Sequence, residues 1–306
     1  MDDAAHGMAP KHDIFNTPNK IDFTLEDRPT PPQYRHYVGG EKLGETMKVR
    51  RVQTKRNSKG VDPGLVSEPS NFDSAPDAEI MSSGLNSKGP QSVAIGRHGN
   101  FLLWGFSADP DDLTDEGKLC LINCICYIHK FDRQAPLARK HKWTRGRAYA
   151  VAQTRYVKDE SEEGFKRSYP EALRREFGRD GGKYREYYEK NMEFLNLTVE
   201  EFKFPDASGA PVYTALAMRY WVDEDAMAWG ISNRTIALLD RCVTALEKNQ
   251  DDEVARRLLA RYTTQEFREA AEWRTWLDAN RKRIFFSDIA GYKFLVAPRD
   301  LPTASP

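Results

Sequence analysis

The run SVAIGRHGNFLLWGFSADPDDLTDEGKLCLINCICYIHKF, from Ser92 to Phe131, constrains the fold more than any other part of the chain. Residues 93–95 and 101–106 are two apolar stretches, the second continuous enough for a buried strand. Between them stand His98 and Gly99, and glycine accepts a positive φ at little cost, so the run predicts a tight hairpin with its turn at or near His98-Gly99. Thr114 then has the chemistry of a helix N-cap, with Asp115 and Glu116 in the first turn as the helix dipole prefers. Leu119, Ile122, Ile125 and Cys126 are the expected buried stripe of that helix.

The rest of the chain organises around this run. Residues 1 to about 90 are rich in turn formers, with short strands expected at 21–25 and 47–52. Such a segment carries too little apolar surface to fold unaided and must lie against something else or be partly disordered. Beyond Phe131 a basic connector follows, and the domain boundary is placed near residue 140. A charge-laced, mostly helical stretch comes next, broken at Gly178 and Gly181-Gly182. Thr198 and Glu201 have capping-box spacing for a short helix. Ile236, Leu239, Val243 and Leu246 mark one amphipathic helix, and Val254, Leu258, Leu259 and Tyr262 a second. Thr263 with Glu266 is expected to box the start of a third, carrying Phe267, Ala270, Trp273, Trp276 and Leu277. The aromatic run RIFFSDIAGYKFLVAP reads as a terminal hairpin. No strict internal repeat recurs at a fixed period, although the helix pairs suit an α-solenoid.

At 306 residues the length suggests two domains, with one large domain as the alternative. Lys+Arg and Asp+Glu balance at 46 each, which removes the basic excess that draws proteins to nucleic acid or anionic membranes. No apolar run approaches the roughly 20 residues of a spanning helix. The N-terminus has neither the basic nor the apolar region of a signal peptide. As written the chain reads as cytoplasmic, or as exported if its true N-terminus lies upstream. Cys120, Cys124 and Cys126 sit too close together for a disulfide framework and fit a reducing compartment.

Chemistry-bearing residues are few. Cys120, Cys124, Cys126 and His129 have zinc-ligand chemistry, but about 100° per helical residue sends the first two to one face and the last two to nearly the opposite one. One tetrahedron cannot be closed that way, so no metal is expected. The chain has no dinucleotide fingerprint, P-loop, nucleophile elbow or zinc-protease motif, and no cofactor is expected. Asp109, Asp111 and Asp112 follow the second strand of the hairpin without the glycine and glutamate of a calcium loop. The tryptophans at 104, 221, 229, 273 and 276 have the chemistry to stack on sugars. Trp273 and Trp276, three apart on a helix, are simpler as core. The basic run from Lys48 to Lys59 reads as a solvated loop.

HDIF at residues 12–15, the Pro-rich segment ending at Tyr34, SVAIGRHGNFLLWGF and TDEGKLCLINCICYI together resemble the second half of a ThuA-like domain. That is the trehalose-utilisation branch of the class I glutamine-amidotransferase-like fold, and the likeness covers roughly residues 12–131. It implies an HPI-like turn, a late hairpin and a closing helix with a central asparagine, here Asn123, packed on a parallel sheet. The family's nucleophilic cysteine belongs to a first half that this chain lacks. Gly105-Phe106 stands where such proteins tend to have Gly-His, so a Cys–His amidotransferase mechanism does not carry over. Either the chain is a truncated product of a longer gene, or a partner chain completes the α/β sheet, or the likeness does not extend to the fold. The tail resembles the HEAT-like modules attached to such domains in large bacterial proteins.

The expected architecture is therefore an incomplete flavodoxin-like, amidotransferase-like α/β module over residues 1–140. A mainly helical HEAT-like module over 141–306 follows it, ending in a hairpin. The expected role is non-catalytic binding of a carbohydrate-related ligand or a protein partner through Trp104, Ser107, Asp109 and Asp112. The alternative is a hydrolase acting on sugar or peptide derivatives, with His98, Asp109 and Asp111 lining a site at the end of the 101–106 strand. A shared concave face for those three residues favours the hydrolase.

Overall fold

The structure is a computed structural model that describes residues 1–54, 64–205 and 211–298. The chain divides into two compact units, Met1–Leu137 and Ala138–Pro306. Among the described residues no helix is long and apolar enough to cross a membrane.

The N-terminal unit contains β1 (Ala4–His6), β2 (Glu26–Pro29), β3 (Thr46–Arg51), α1 (Ser70–Asp73), β4 (Ala78–Gly84), β5 (Val93–His98), β6 (Phe101–Trp104) and α2 (Asp115–Ile128). Its strands form one six-stranded sheet in the order β2-β3-β1-β4-β5-β6, and each of these neighbours pairs antiparallel. The expected hairpin is β5–β6, with His98 paired to Phe101 and Gly99 at φ +57° in the turn. Thr114 caps α2 by accepting from the Gly117 N–H. Gly117 is required there for a second reason: a Cβ at that position would lie 2.2 Å from the Val52 carbonyl, so only glycine lets α2 approach the sheet this closely.

The sheet is antiparallel throughout, where the ThuA-like, flavodoxin-like likeness implied a parallel one, and three further expectations change here. The stripe that α2 buries is Gly117, Cys120, Asn123, Cys124 and Tyr127, while Ile122 and Ile125 are exposed. The helix is apolar on most sides, so periodicity could not choose its inner face. Asn123 chose it instead, because its amide closes onto the turn at residues 14–19: Nδ2 donates to the Ile14 and Asn19 carbonyls, and Oδ1 accepts from the Asn19 N–H. Residues 21–25 form no strand. The Ile21 N–H is taken by the Phe15 carbonyl and that of Thr24 by Glu116 Oε1, so strand pairing starts only at Glu26. Finally, the basic run is not simply a solvated loop. It enters β3, where Arg50 is fully buried; residues 55–59 lie outside the described residues.

The C-terminal unit contains α3 (Ala148–Gln153), α4 (Glu162–Ser168), α5 (Glu171–Phe177), α6 (Gly181–Lys190), β7 (Leu195–Pro205), β8 (Pro211–Val222) and α7 (Glu224–Ala228). It continues with α8 (Ile236–Lys248), α9 (Asp252–Tyr262), α10 (Ala270–Asn280), β9 (Ile284–Ser287) and β10 (Lys293–Val296). Helices predominate, beside two antiparallel pairs, β7–β8 and β9–β10. Leu238, Leu239, Val243, Leu246, Leu258, Leu259, Trp273 and Leu277 build its main apolar core. Thr198 caps no helix: it lies in β7, where its hydroxyl accepts from Trp221 Nε1 of β8. Thr263 is likewise diverted, because its hydroxyl donates back to the Leu259 carbonyl at the end of α9. The capping box of α10 is Glu269 with Glu272.

Candidate functional site

In the C-terminal unit, α6 starts where Asp180 accepts from the Gly182 and Lys183 N–H groups. Tyr184 and Tyr188, one turn apart on that helix, both point inward and are fully buried. Tyr169, just past α4, stacks at 4.6 Å between centroids on Tyr184, with Phe165 and Phe177 edge-on to the same ring. Tyr169 donates its hydroxyl to the carbonyl of Gln153 at the end of α3. Glu160, in the loop before α4, acts electrostatically on both Tyr169 and Tyr188.

Into this aromatic nest come polar atoms that the fold does not use. Tyr184 Oη, Tyr188 Oη, Gln153 Nε2 and Glu160 Oε2 are all buried without a hydrogen-bond partner. A buried polar group left unpaired costs about 1–3 kcal/mol, so native structures pair nearly all of them. Tyr184 and Tyr188 are ring neighbours and Glu160 acts on Tyr188, so three of these groups share one neighbourhood, with Gln153 on the helix whose end accepts from Tyr169. Burial raises the Glu160 carboxyl above its ordinary range, opposed by Arg179. Burial also lifts the Tyr184 phenol to about 12, and it raises Tyr188 as well. The phenols are therefore neutral donors and acceptors at physiological pH.

The residues singled out in the sequence lie elsewhere. Trp104 is half-buried with its ring 5.4 Å from that of Phe106, Ser107 and Asp109 are exposed, and Asp112 gives its backbone carbonyl to Thr54. Trp104 ends β6, and the other three follow it along the connection to α2. Asp111 is exposed on the same loop, but His98 stands at the other end of the hairpin: it pairs with Phe101, whereas Trp104 pairs with Ile95. Three residues of strand, about 10 Å, separate the two ends. His98 instead faces Asp77, with Nε2 3.5 Å from Oδ1. The proposed hydrolase set is thus not brought together. Of the four candidate metal ligands, Cys120 and Cys124 are buried and Cys126 and His129 exposed, which keeps them on different sides of α2. Among the described residues no three His, Cys, Asp or Glu side chains converge in a metal-holding group.

A constellation that sequence reading missed lies on β4. Glu79 accepts from Tyr127 at 2.7 Å, Arg97 at 2.9 Å and His12 at 3.3 Å. Burial pushes its carboxyl up, yet these three donors bring it down to about 2. Arg97 is its cross-strand partner and lies 3.7 Å from the centroid of the Phe131 ring. With its donors matched, the cluster clamps α2 and the turn at residues 12–15 onto the sheet. Compared with protein-family models, with curated proteins and with solved structures, the chain has no match in any of the three.

The tyrosine nest had a sequence signal. KYREYYEK places tyrosines at 184, 187 and 188 in a helix otherwise charged, and an inward tyrosine brings a hydroxyl that must be satisfied.

Proposed function

We propose that this chain is a binding protein whose C-terminal unit takes a small polyhydroxylated, carbohydrate-class ligand in the tyrosine nest. The observation that carries the reading is that the Tyr184 and Tyr188 hydroxyls, on rings packed against each other and Tyr169, and the carboxylate oxygen of nearby Glu160 are buried without a hydrogen-bond partner. Sugars present hydroxyls that donate and accept together with C–H faces that pack on rings, and a small number of placed polar groups on apolar walls is how ligand sites select. Glu160 Oε2 accepts, Gln153 Nε2 donates, and the two phenols do either.

The test is a calorimetric and thermal-shift titration of the full chain with neutral mono- and disaccharides, repeated for Tyr188→Phe and Tyr184→Phe. At least one sugar is expected to bind the native chain, and either substitution to weaken it about tenfold, the worth of one hydrogen bond to a buried partner. If no sugar binds, and the phenylalanine variants are simply more stable, internal water fills the nest and the reading fails.

For the N-terminal unit, kinship with the second half of a ThuA-like domain is a separate proposal. It is supported by the expected central asparagine, Asn123, tying α2 to the turn that follows His12. In that reading a partner chain extends the sheet at β2 or β6, its two edges, and pairing of this unit with such a chain is the measurement that tests it. The hydrolase alternative draws no support from the separation of His98 from Asp109 and Asp111.

A further inference from the structure

Arg50 is fully buried in the N-terminal unit, with its guanidinium 5.2 Å from the centroid of Phe15 and 4.9 Å from that of Phe23. Nη2 donates to Cys120 Sγ at 3.5 Å, while Nε and Nη1 have no partner. No ion pair among the described residues reaches this guanidinium. An arginine does not lose its proton in a protein, and a buried cation without a counter-charge is expensive. The group in contact with it that can become an anion is Cys120. Cys124 lies one turn further on and is also buried. The neighbouring Cys124 thiol first, and then the guanidinium, hold the Cys120 thiol below its ordinary range against burial, while the same pairing pushes Cys124 up.

We propose that Cys120 is a buried thiolate paired with Arg50 and is a modification site for hydrogen peroxide, which converts it to a sulfenate. The sulfur attacks one peroxide oxygen: an S–O bond forms, the O–O bond breaks, and the departing hydroxide takes the proton of the new S–OH group and leaves as water. Sulfur is oxidised by two electrons and peroxide is reduced by two. The new oxygen carries the negative charge and comes within reach of the open N–H groups of Arg50, which lack an acceptor until then.

Two neighbouring chemistries fit less well. A metal cation on two thiolates would sit beside an unneutralised guanidinium. A Cys120–Cys124 disulfide needs Cβ atoms about 3.5–4.5 Å apart, whereas an intact helix holds i and i+4 at about 5–6 Å. The sulfenate is therefore the product. Because Cys120 is buried, a small neutral oxidant reaches it when the helix breathes, and bulky reagents do not.

The test exposes the full folded chain at neutral pH to limiting hydrogen peroxide, quenches it into acid denaturant containing dimedone, and maps the peptides by mass spectrometry. Cys242 is the internal control for burial without a cation, since burial pushes its thiol up to about 12, and Cys126 is the control for exposure. Cys120 is expected to be labelled about tenfold ahead of Cys242 and ahead of Cys126. Arg50→Met should bring it down to the level of Cys242, and Arg50→Lys should retain most of the labelling. If Arg50→Met does not fold, the order of the three cysteines in the native chain decides alone. Oxidation of Cys126 with Cys120 left reduced overturns the proposal, and so does a Cys120–Cys124 disulfide as first product.

Discussion

The two units each bury an arginine between aromatic rings, and they treat it in opposite ways. Arg147 of the C-terminal unit lies 5.6 Å from the centroids of Phe286 and Tyr292, as Arg50 lies over Phe15 and Phe23. Asp288 meets Arg147 through Nε, Nη2 and the backbone N–H, and Nη1 donates to the Met192 carbonyl and Asn233 Oδ1. Arg50 has a thiol and two open donors. Identical chemistry in similar aromatic surroundings is structural where a carboxylate closes it, and available for reaction where none does.

The largest expected effect tests the closed member of the pair. Asp288→Ala leaves Arg147 buried and uncompensated, which should cost about 3–5 kcal/mol in denaturant unfolding of the C-terminal unit. Replacing both partners by apolar residues of similar volume should recover most of it. A loss below about 1 kcal/mol for the single variant would mean that water reaches Arg147, and the contrast with Arg50 would disappear.

The open member predicts a smaller number. Arg50→Met strands no carboxylate, because Cys120 simply takes up a proton. The N-terminal unit should therefore change by no more than about 1 kcal/mol in either direction. A cost equal to that of Asp288→Ala would reveal a counter-charge at Arg50 and break the comparison from the other side.

How much of this was open to sequence reading follows from where the determinants sit. The β5–β6 hairpin and the Thr114 cap were legible because Gly99 and Thr114 act on their own neighbours. The inner face of α2 was not, since Asn123 chose it through a turn a hundred residues earlier. Thr198 and Thr263 misled for a related reason: a hydroxyl that can cap a helix was claimed by Trp221 in one case and by Leu259 in the other. The orphaned atoms of the nest were illegible in principle. Lack of a partner is a property of what surrounds an atom, and sequence records only the atom's type.

Acid separates the units next. Burial lowers His6 to about 4 from 6.5, so the folded N-terminal unit keeps it neutral. That contribution is full above pH 6.5 and is lost as pH falls toward 4. Glu79, held near 2 against an ordinary 4.5, contributes above 4.5 and loses that contribution as pH falls toward 2. Glu160 of the C-terminal unit runs the other way: its raised carboxyl is a burden while ionised, and protonation relieves it. Hydrogen exchange between pH 7 and 4 should show protection falling in β4 and β5 sooner than in α6. Equal loss in both would show that His6 is reached by solvent.

The smallest expected effect concerns the nest, and it is informative because a structural role predicts a different sign. If Tyr188 only fills space, removing an unpaired buried hydroxyl by Tyr188→Phe should leave the chain as stable or raise its stability by up to about 1 kcal/mol. If a hydroxylated ligand is the intended partner, the free chain should behave that way, but the stabilisation conferred by a bound sugar should shrink with the substitution. Comparing melting temperatures with and without sugar separates the two, because only binding at the hydroxyl couples the substitution to the ligand. The same subtraction applied to Gln153→Leu, which deletes a second orphan on a different helix, should give a loss of similar size. A loss at one position and not the other would confine the ligand to one wall of the nest.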